Sequence, residues 1–207
     1  MSPKKPPDRV AVRNVFDRAY YNRFYGRSKR RIANAREEQA HCDFVCAYLK
    51  YLGQPVKKVV DIGCGFGPWR PLLAAHFPRA SYLGVEVSPY LCEQYGWTQG
   101  SAVDFKSAVP FDLVVCKDTL QYLAPRAAEA AISNLASLCR GVLYFNLLTT
   151  EDWENNCDRE KTDSAVYIRP ARWYRRRLSK YFTNLGGGLF LSASSPAVPW
   201  ELEQLSR

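Results

Sequence analysis

Three glycines at alternate positions end the run Val59-Val60-Asp61-Ile62-Gly63-Cys64-Gly65-Phe66-Gly67-Pro68, and an acid, Glu86, ends the next apolar run, Ser81–Glu86. Glycine accepts positive φ and lets a ligand approach the backbone, while Pro68 suits a first helical position, where its missing N–H costs nothing. The pattern predicts a buried strand that breaks into a tight turn and opens a helix, with the turn as a ligand cradle. Glu86 stands where a doubly wound α/β sheet places an acid to accept hydrogen bonds from ribose hydroxyls, so a ribose-bearing cofactor is implied. A dinucleotide fingerprint asks for G-x-G-x-x-G. Here Gly63-x-Gly65-x-x-Pro68 lacks the third glycine and Gly67 comes one residue early, which disfavours a nicotinamide dinucleotide.

The elements that position these residues alternate along the chain. A helix is predicted from an N-cap at Ser28 to Leu52, with Val45, Tyr48, Leu49 and Leu52 at helical spacing and Gly53 and Pro55 as its stop. Strands are predicted at 57–62, 81–86, near Ser101-Ala102-Val103, at Phe111-Asp112-Leu113-Val114-Val115-Cys116 and from Gly141 to Leu148. Helices are predicted from Pro68 to about Phe77, after the Ser88-Pro89 cap, near 125–138, and from Pro170 to near Phe182. Gly186-Gly187-Gly188 then leads into a short last strand, Leu189-Phe190-Leu191-Ser192. This is a doubly wound, mostly parallel sheet, whose ligands bind outside the carboxyl ends of the strands. The expected organisation is a basic N-terminal segment and helix over 1–53, acting as a lid, and a core over 54–207.

With 207 residues, 47% hydrophobic and 14% aromatic, the chain can bury one core, and no apolar run approaches the ~18 residues of a membrane span. The start has no apolar region behind its basic residues, so a cytoplasmic location is expected. Seven cysteines with no C-x-x-C pair read as reduced, mostly buried thiols, and no metal site is expected. The net charge of +9 is uneven: residues 1–31 hold ten Lys/Arg, residues 169–180 hold six with no acid, and residues 151–163 hold six acids against Arg159 and Lys161. The basic stretches suit nucleic acid, an anionic surface or an acidic substrate, or a plain solvated face.

The glycine motif Asp61–Gly67, the acid Glu86 and the stretch Phe111 to Leu123 occur together, in order and at family spacing, and over roughly 57–150 the chain resembles the class I S-adenosylmethionine-dependent methyltransferases. The resemblance implies S-adenosylmethionine as cofactor and S-adenosylhomocysteine as product. It places Gly63, Gly65 and Gly67 against the methionine part, Asp61 at the amino group and Glu86 at the ribose, with Cys64 and Val87 beside them in the cofactor site. Where the family often has Gly-Asp-Ala this chain reads Gly100-Ser101-Ala102-Val103-Asp104, so the adenine amino group falls to Ser101 or Asp104; Ala102, Lys117 and Tyr122 are further cofactor-site residues. The family's Leu-His-His/Tyr-Leu is here Leu120-Gln121-Tyr122-Leu123, without the histidine that serves as a base.

Methyl transfer asks the protein chiefly to align the acceptor and exclude water, and a base is needed only for some acceptors. Tyr20, Tyr21 and Tyr122 are the candidates at the methyl site, with Tyr20, Tyr21 and Tyr25 also read as a lid; core packing is the alternative for each. The stretch 151–168, with Trp153, Asp158, Arg159, Asp163 and Tyr167, is the expected acceptor loop. The expected function is methyl transfer to oxygen or nitrogen of a small molecule. The alternatives are an RNA or protein methyltransferase using the basic patches, a non-catalytic cofactor-binding protein, and a nucleotide-dependent oxidoreductase. Nothing in the sequence indicates an oligomeric state.

Overall fold

The computed structural model describes residues 16–25, 35–159 and 162–205; Ser28 and the side chain of Tyr25 lie outside what is described. Seven strands form one sheet in the order β3-β2-β1-β4-β5-β7-β6. The first five are parallel: β1 (Lys58–Ile62), β2 (Ser81–Glu86), β3 (Thr98–Gln99), β4 (Phe111–Lys117) and β5 (Cys139–Asn146). β6 (Phe182–Gly186) and β7 (Leu189–Ser192) pair antiparallel, and β7 lies antiparallel on β5. The order reverses between β1 and β4, which is where such a sheet opens a crevice at its carboxyl ends.

Alternation along the strands divides the core in two. Val60, Ile62, Val114, Cys116, Leu143 and Phe145 face α5 (Pro125–Leu138) and α7 (Ala171–Leu178). Val59, Leu113, Val115, Val142 and Tyr144 face α2 (Ala35–Tyr51) and α3 (Trp69–His76). Residues one apart thus bury against opposite helical layers, as period-two geometry demands. α4 (Pro89–Tyr95) is capped by Ser88, whose Oγ accepts from the Leu91 N–H, and stops at Gly96 in the left-handed region. α1 (Arg18–Tyr25) and α6 (Thr150–Asn155) lie at the carboxyl end of the sheet. Among the described residues no helix is long and apolar enough to cross a membrane.

Three elements depart from the sequence reading. The third strand lies at Thr98–Gln99, not at 101–103, because Ser101 turns the chain: its Oγ accepts from the Val103 N–H at 3.2 Å and its carbonyl from the Asp104 and Phe105 N–H groups. Such local side-chain bonds offer the backbone an alternative to the ladder. The basic helix ends at Leu178, short of Phe182, which instead begins β6 with Phe182 and Leu185 turned inward. Gly186, Gly187 and Gly188 all have positive φ (80°, 56° and 79°), so the glycine run is the turn of a complete hairpin, not the lead into a single strand.

Candidate active site

The glycine turn is pinned to the end of β2. The Gly63 and Cys64 N–H groups donate to the Val85 carbonyl at 2.8 and 3.2 Å, and the Trp97 indole donates to the Gly65 carbonyl at 2.9 Å. The three glycines are needed for different reasons. A Cβ at Gly63 falls 2.2 Å from Thr119 Oγ1, and one at Gly67 falls 2.4 Å from the Trp97 ring, whereas one at Gly65 meets nothing within 4 Å. Gly63 and Gly67 therefore serve close packing, and Gly65, at φ 55°, leaves an open cradle.

That cradle is the floor of a cleft of about 710 Å³. Its walls come from Phe16, Tyr20 and Tyr21 at α1, from Glu38 in the first turn of α2, from Asp61 and Glu86, from Gly100 to Ala102, and from Lys117 to Thr119 with Tyr122 and Leu123. Cys64, Val87, Ser101 and Ala102 line it too; Gly67 and Asp104 do not, since Gly67 packs on Trp97 and Asp104 is exposed. Neither His41 nor His76 is among the lining residues, and His76 instead meets Asp43 at 2.7 Å on the surface.

The carboxylates are held by distinct partners. Glu86, only 4% exposed, accepts from the Gly65 N–H at 2.9 Å with one oxygen and from the Val87 and Ser88 N–H groups at 2.8 and 2.9 Å with the other. Burial pushes its carboxyl up, against these backbone bonds and a bond from Tyr21 that pull it down. Asp61 accepts from the Tyr82 hydroxyl at 2.6 Å, and burial raises its carboxyl to about 7 despite that bond. Lys117 sits between Asp118 at 2.6 Å and Glu38 at 2.9 Å; burial works against its charge, but the two acids outweigh it and hold the ammonium well above its usual range. Asp118 holds φ 52°, an uncommon conformation for a residue with a side chain.

A second set of residues ties α1 to the loops beside the cleft. The Tyr20 hydroxyl donates to Asp163 Oδ2 at 3.0 Å and lies 3.0 Å from the Tyr122 hydroxyl, so α1, the turn after β4 and the loop after β5 meet at one point. Gln121 joins the same parts, its carbonyl accepting from the Tyr167 N–H at 2.7 Å and its amide oxygen from the Leu148 N–H at 3.3 Å. Behind them Arg169, 5% exposed, donates to the carbonyls of Leu120, Leu123 and Tyr167 and to the Tyr174 hydroxyl. Sequence reading passed over Glu38, Gln121 and Arg169 in the site. Glu38 left a signal, being an acid on the same helical stripe as the buried Cys42, Val45 and Leu49. Gln121 and Arg169 left none, because what buries them is contact with backbone groups distant in sequence, Leu148 and Tyr167 for Gln121 and Leu120 and Leu123 for Arg169.

The sheet order, the glycine turn under the β1–β4 crevice and the acid ending β2 are those of the Rossmann-like class I methyltransferase fold. Residues 60–141 match the family model described as a methyltransferase domain. It is 29% identical over 126 residues to a malonyl-[acyl-carrier protein] O-methyltransferase of Anoxybacillus flavithermus, a match covering 56% of this chain and 46% of that protein, so the chain spans about half the length of this curated relative. Its fold is similar to that of magnesium protoporphyrin IX methyltransferase from Synechocystis PCC 6803, with a TM-score of 0.61 at 21% identity over 88% of this chain and 89% of that one. It is also similar to the plantazolicin methyltransferase BpumL, with a TM-score of 0.63 at 14% identity over 83% and 73% of the two chains.

Proposed function

We propose that the chain transfers a methyl group from S-adenosylmethionine to an oxygen or nitrogen of a small-molecule acceptor, leaving S-adenosylhomocysteine. The observation that carries this reading is Glu86, an almost fully buried carboxylate that faces a cleft at the glycine turn. The cleft fits the cofactor: Glu86 is the acceptor for ribose hydroxyls, Gly65 leaves backbone room for the methionine part with Gly63 and Cys64 beside it, Asp61 takes the amino group, and Ser101 with Ala102 lies at the adenine end beside Val87. Lys117 is the cation on hand for the cofactor's carboxylate. When bound, the sulfonium supplies an already activated methyl group, so the protein's task is alignment and exclusion of water.

Two side-chain groups do the excluding. Phe16, Tyr20 and Tyr21 cover the cleft from α1, held by the Ser88 hydroxyl, which donates to the Phe16 carbonyl at 2.6 Å. They pack with Leu91 in a cluster separate from the two main cores, so a chain lacking residues 1–26 should keep its sheet while binding S-adenosylhomocysteine several-fold more weakly. Calorimetry together with a melting curve checks this, and equal binding would leave α1 as packing only. The stretch 151–168, which meets the cleft wall through the bond from the Tyr20 hydroxyl to Asp163, is the acceptor-recognising segment.

Asp61 gives a pH dependence. Its carboxyl, raised to about 7, is protonated below that value and loses its hold on an ammonium, so cofactor affinity should rise between about pH 6 and 8. In the cofactor-free protein the sign is opposite. The native state keeps a proton that the unfolded chain has released above about pH 4, so Asp61 withdraws stability as pH climbs from there through 7. Asp61→Asn should bind weakly with a flat profile, and a profile that stays steep would move the titration to another group.

The test of the reaction is transfer of labelled methyl from S-adenosylmethionine to a metabolite extract or to RNA. Labelled small molecules are the expected product. The exposed Arg172, Arg175 and Arg176 on α7 favour the RNA reading, which would show as RNA methylation with binding that falls steeply between low and physiological salt.

A further inference from the structure

We infer that Asp163 sets the direction of hydrogen bonding at the acceptor site, so that the methyl acceptor is an oxygen or nitrogen still carrying a hydrogen, not a carboxylate. This rests on the methyl-transfer reading above. Asp163 is 9% exposed, its Oδ1 accepts from the Ala165 N–H at 2.9 Å, and its Oδ2 accepts from the Tyr20 hydroxyl at 3.0 Å. An ionised carboxylate only accepts, and a phenol has one proton. Once Tyr20 has given its proton to Asp163, the 3.0 Å contact between Tyr20 and Tyr122 is completed by the Tyr122 proton. Tyr122, which lines the cleft, therefore turns oxygen lone pairs toward it. Lone pairs there receive a hydrogen from a hydroxyl or amine and repel a carboxylate oxygen, which has none to give.

The same chain removes the proton. The acceptor atom bonds to the methyl carbon as the carbon–sulfur bond breaks, with the sulfur keeping that electron pair. The acceptor's proton passes to Tyr122, that of Tyr122 to Tyr20, and that of Tyr20 to the Asp163 carboxylate, which ends neutral while the sulfonium charge is lost. Tyr122 is the group at the acceptor, and Asp163 is a positioning residue acting through Tyr20. The missing histidine after β4 is thus replaced by a relay whose members lie 102 and 143 positions apart in the chain.

Label transferred to an extract should survive mild alkali, which releases methyl esters as volatile methanol and leaves ethers and N-methyl groups intact. Release as methanol overturns the inference while upholding methyl transfer; a protein that binds cofactor but labels nothing overturns both. Asp163→Asn supplies the second measurement. The Ala165 N–H holds the amide oxygen, so the amide NH2 faces Tyr20 and reverses the chain. Turnover should fall by about a hundredfold, with KM and calorimetric affinity for the cofactor unchanged to within about twofold, because the amide still bonds Tyr20 and α1 stays closed. In the S-adenosylhomocysteine complex, wild type should bind phenol about tenfold more tightly than benzoate, and the variant should lose that preference. Benzoate bound by wild type as tightly as phenol, or neither bound, overturns the inference.

Discussion

Glu86→Ala is expected to weaken S-adenosylmethionine binding by roughly ten- to more than a hundredfold, the loss of charge-assisted bonds worth about 1.5–3 kcal/mol. The residue has two tasks and alanine removes both. It faces the cleft where ribose hydroxyls would sit, and it ties the Gly65 N–H to the start of α4 by accepting from Gly65, Val87 and Ser88 at 2.8 to 2.9 Å. Fold stability should fall as well, since the Gly65, Val87 and Ser88 N–H groups lose their acceptor, but the desolvation cost of the buried carboxyl is relieved and offsets part of that loss. Glu86→Gln separates the tasks: one amide oxygen still accepts from Val87 and Ser88, while the NH2 faces the Gly65 N–H donor to donor. Calorimetry and melting of the three proteins decide the matter, and an alanine variant that is folded and binds normally would sink the cofactor assignment.

Arg169→Ala is expected to be the most destabilising single change among the residues that tie the loop after β5 to the turn after β4. The guanidinium donates to three carbonyls, of Leu120, Leu123 and Tyr167, and to the Tyr174 hydroxyl, and it packs on the rings of Tyr167, Trp173 and Tyr174. Each buried acceptor left without a donor costs about 1–3 kcal/mol, so three or four of them amount to at least about 3 kcal/mol. For a chain of this size that lowers the melting temperature by roughly 6–12 °C. Activity should fall further than stability predicts, because Leu120 and Leu123 bracket Tyr122 and the loop carrying Asp163 hangs from the same cation. Arg169→Lys should recover only part, since an ammonium lacks the planar fork that reaches several carbonyls at once. A melting temperature within about 2 °C of wild type for the alanine variant would show that water replaces the guanidinium at these carbonyls.

Much of this protein is decided by local sequence. Leu113–Cys116 is apolar on every residue and Val59–Ile62 on all but Asp61, which only a strand buried on both faces tolerates, and glycines that must take positive φ mark where β1 ends. Ser88-Pro89 starts α4 and Gly96 stops it, for reasons of hydrogen bonding and φ that lie within a few residues. The acid ending β2 could be named without a structure because strand length and direction alone put it at the crevice.

What the tertiary structure decided are the groupings whose members have no local reason to meet. Ser101 and Asp104 are equivalent in sequence, and only the turn made by Ser101 sends one to the cleft and the other to solvent. Gly67 shares its spacing with Gly65, yet Trp97 packs where its Cβ would go. Tyr20, Tyr122 and Asp163 look like an aromatic cluster, a turn and an acidic loop until α1 closes over the sheet and aligns their oxygens at 3.0 Å. Arg169 is one of six basic residues in its stretch and the most buried of them, held by carbonyls that exist as a set only after β4 and β5 have paired. Local physics of φ, periodicity and capping is written in neighbouring residues, whereas the satisfaction of buried polar groups depends on partners that chain folding alone brings within reach.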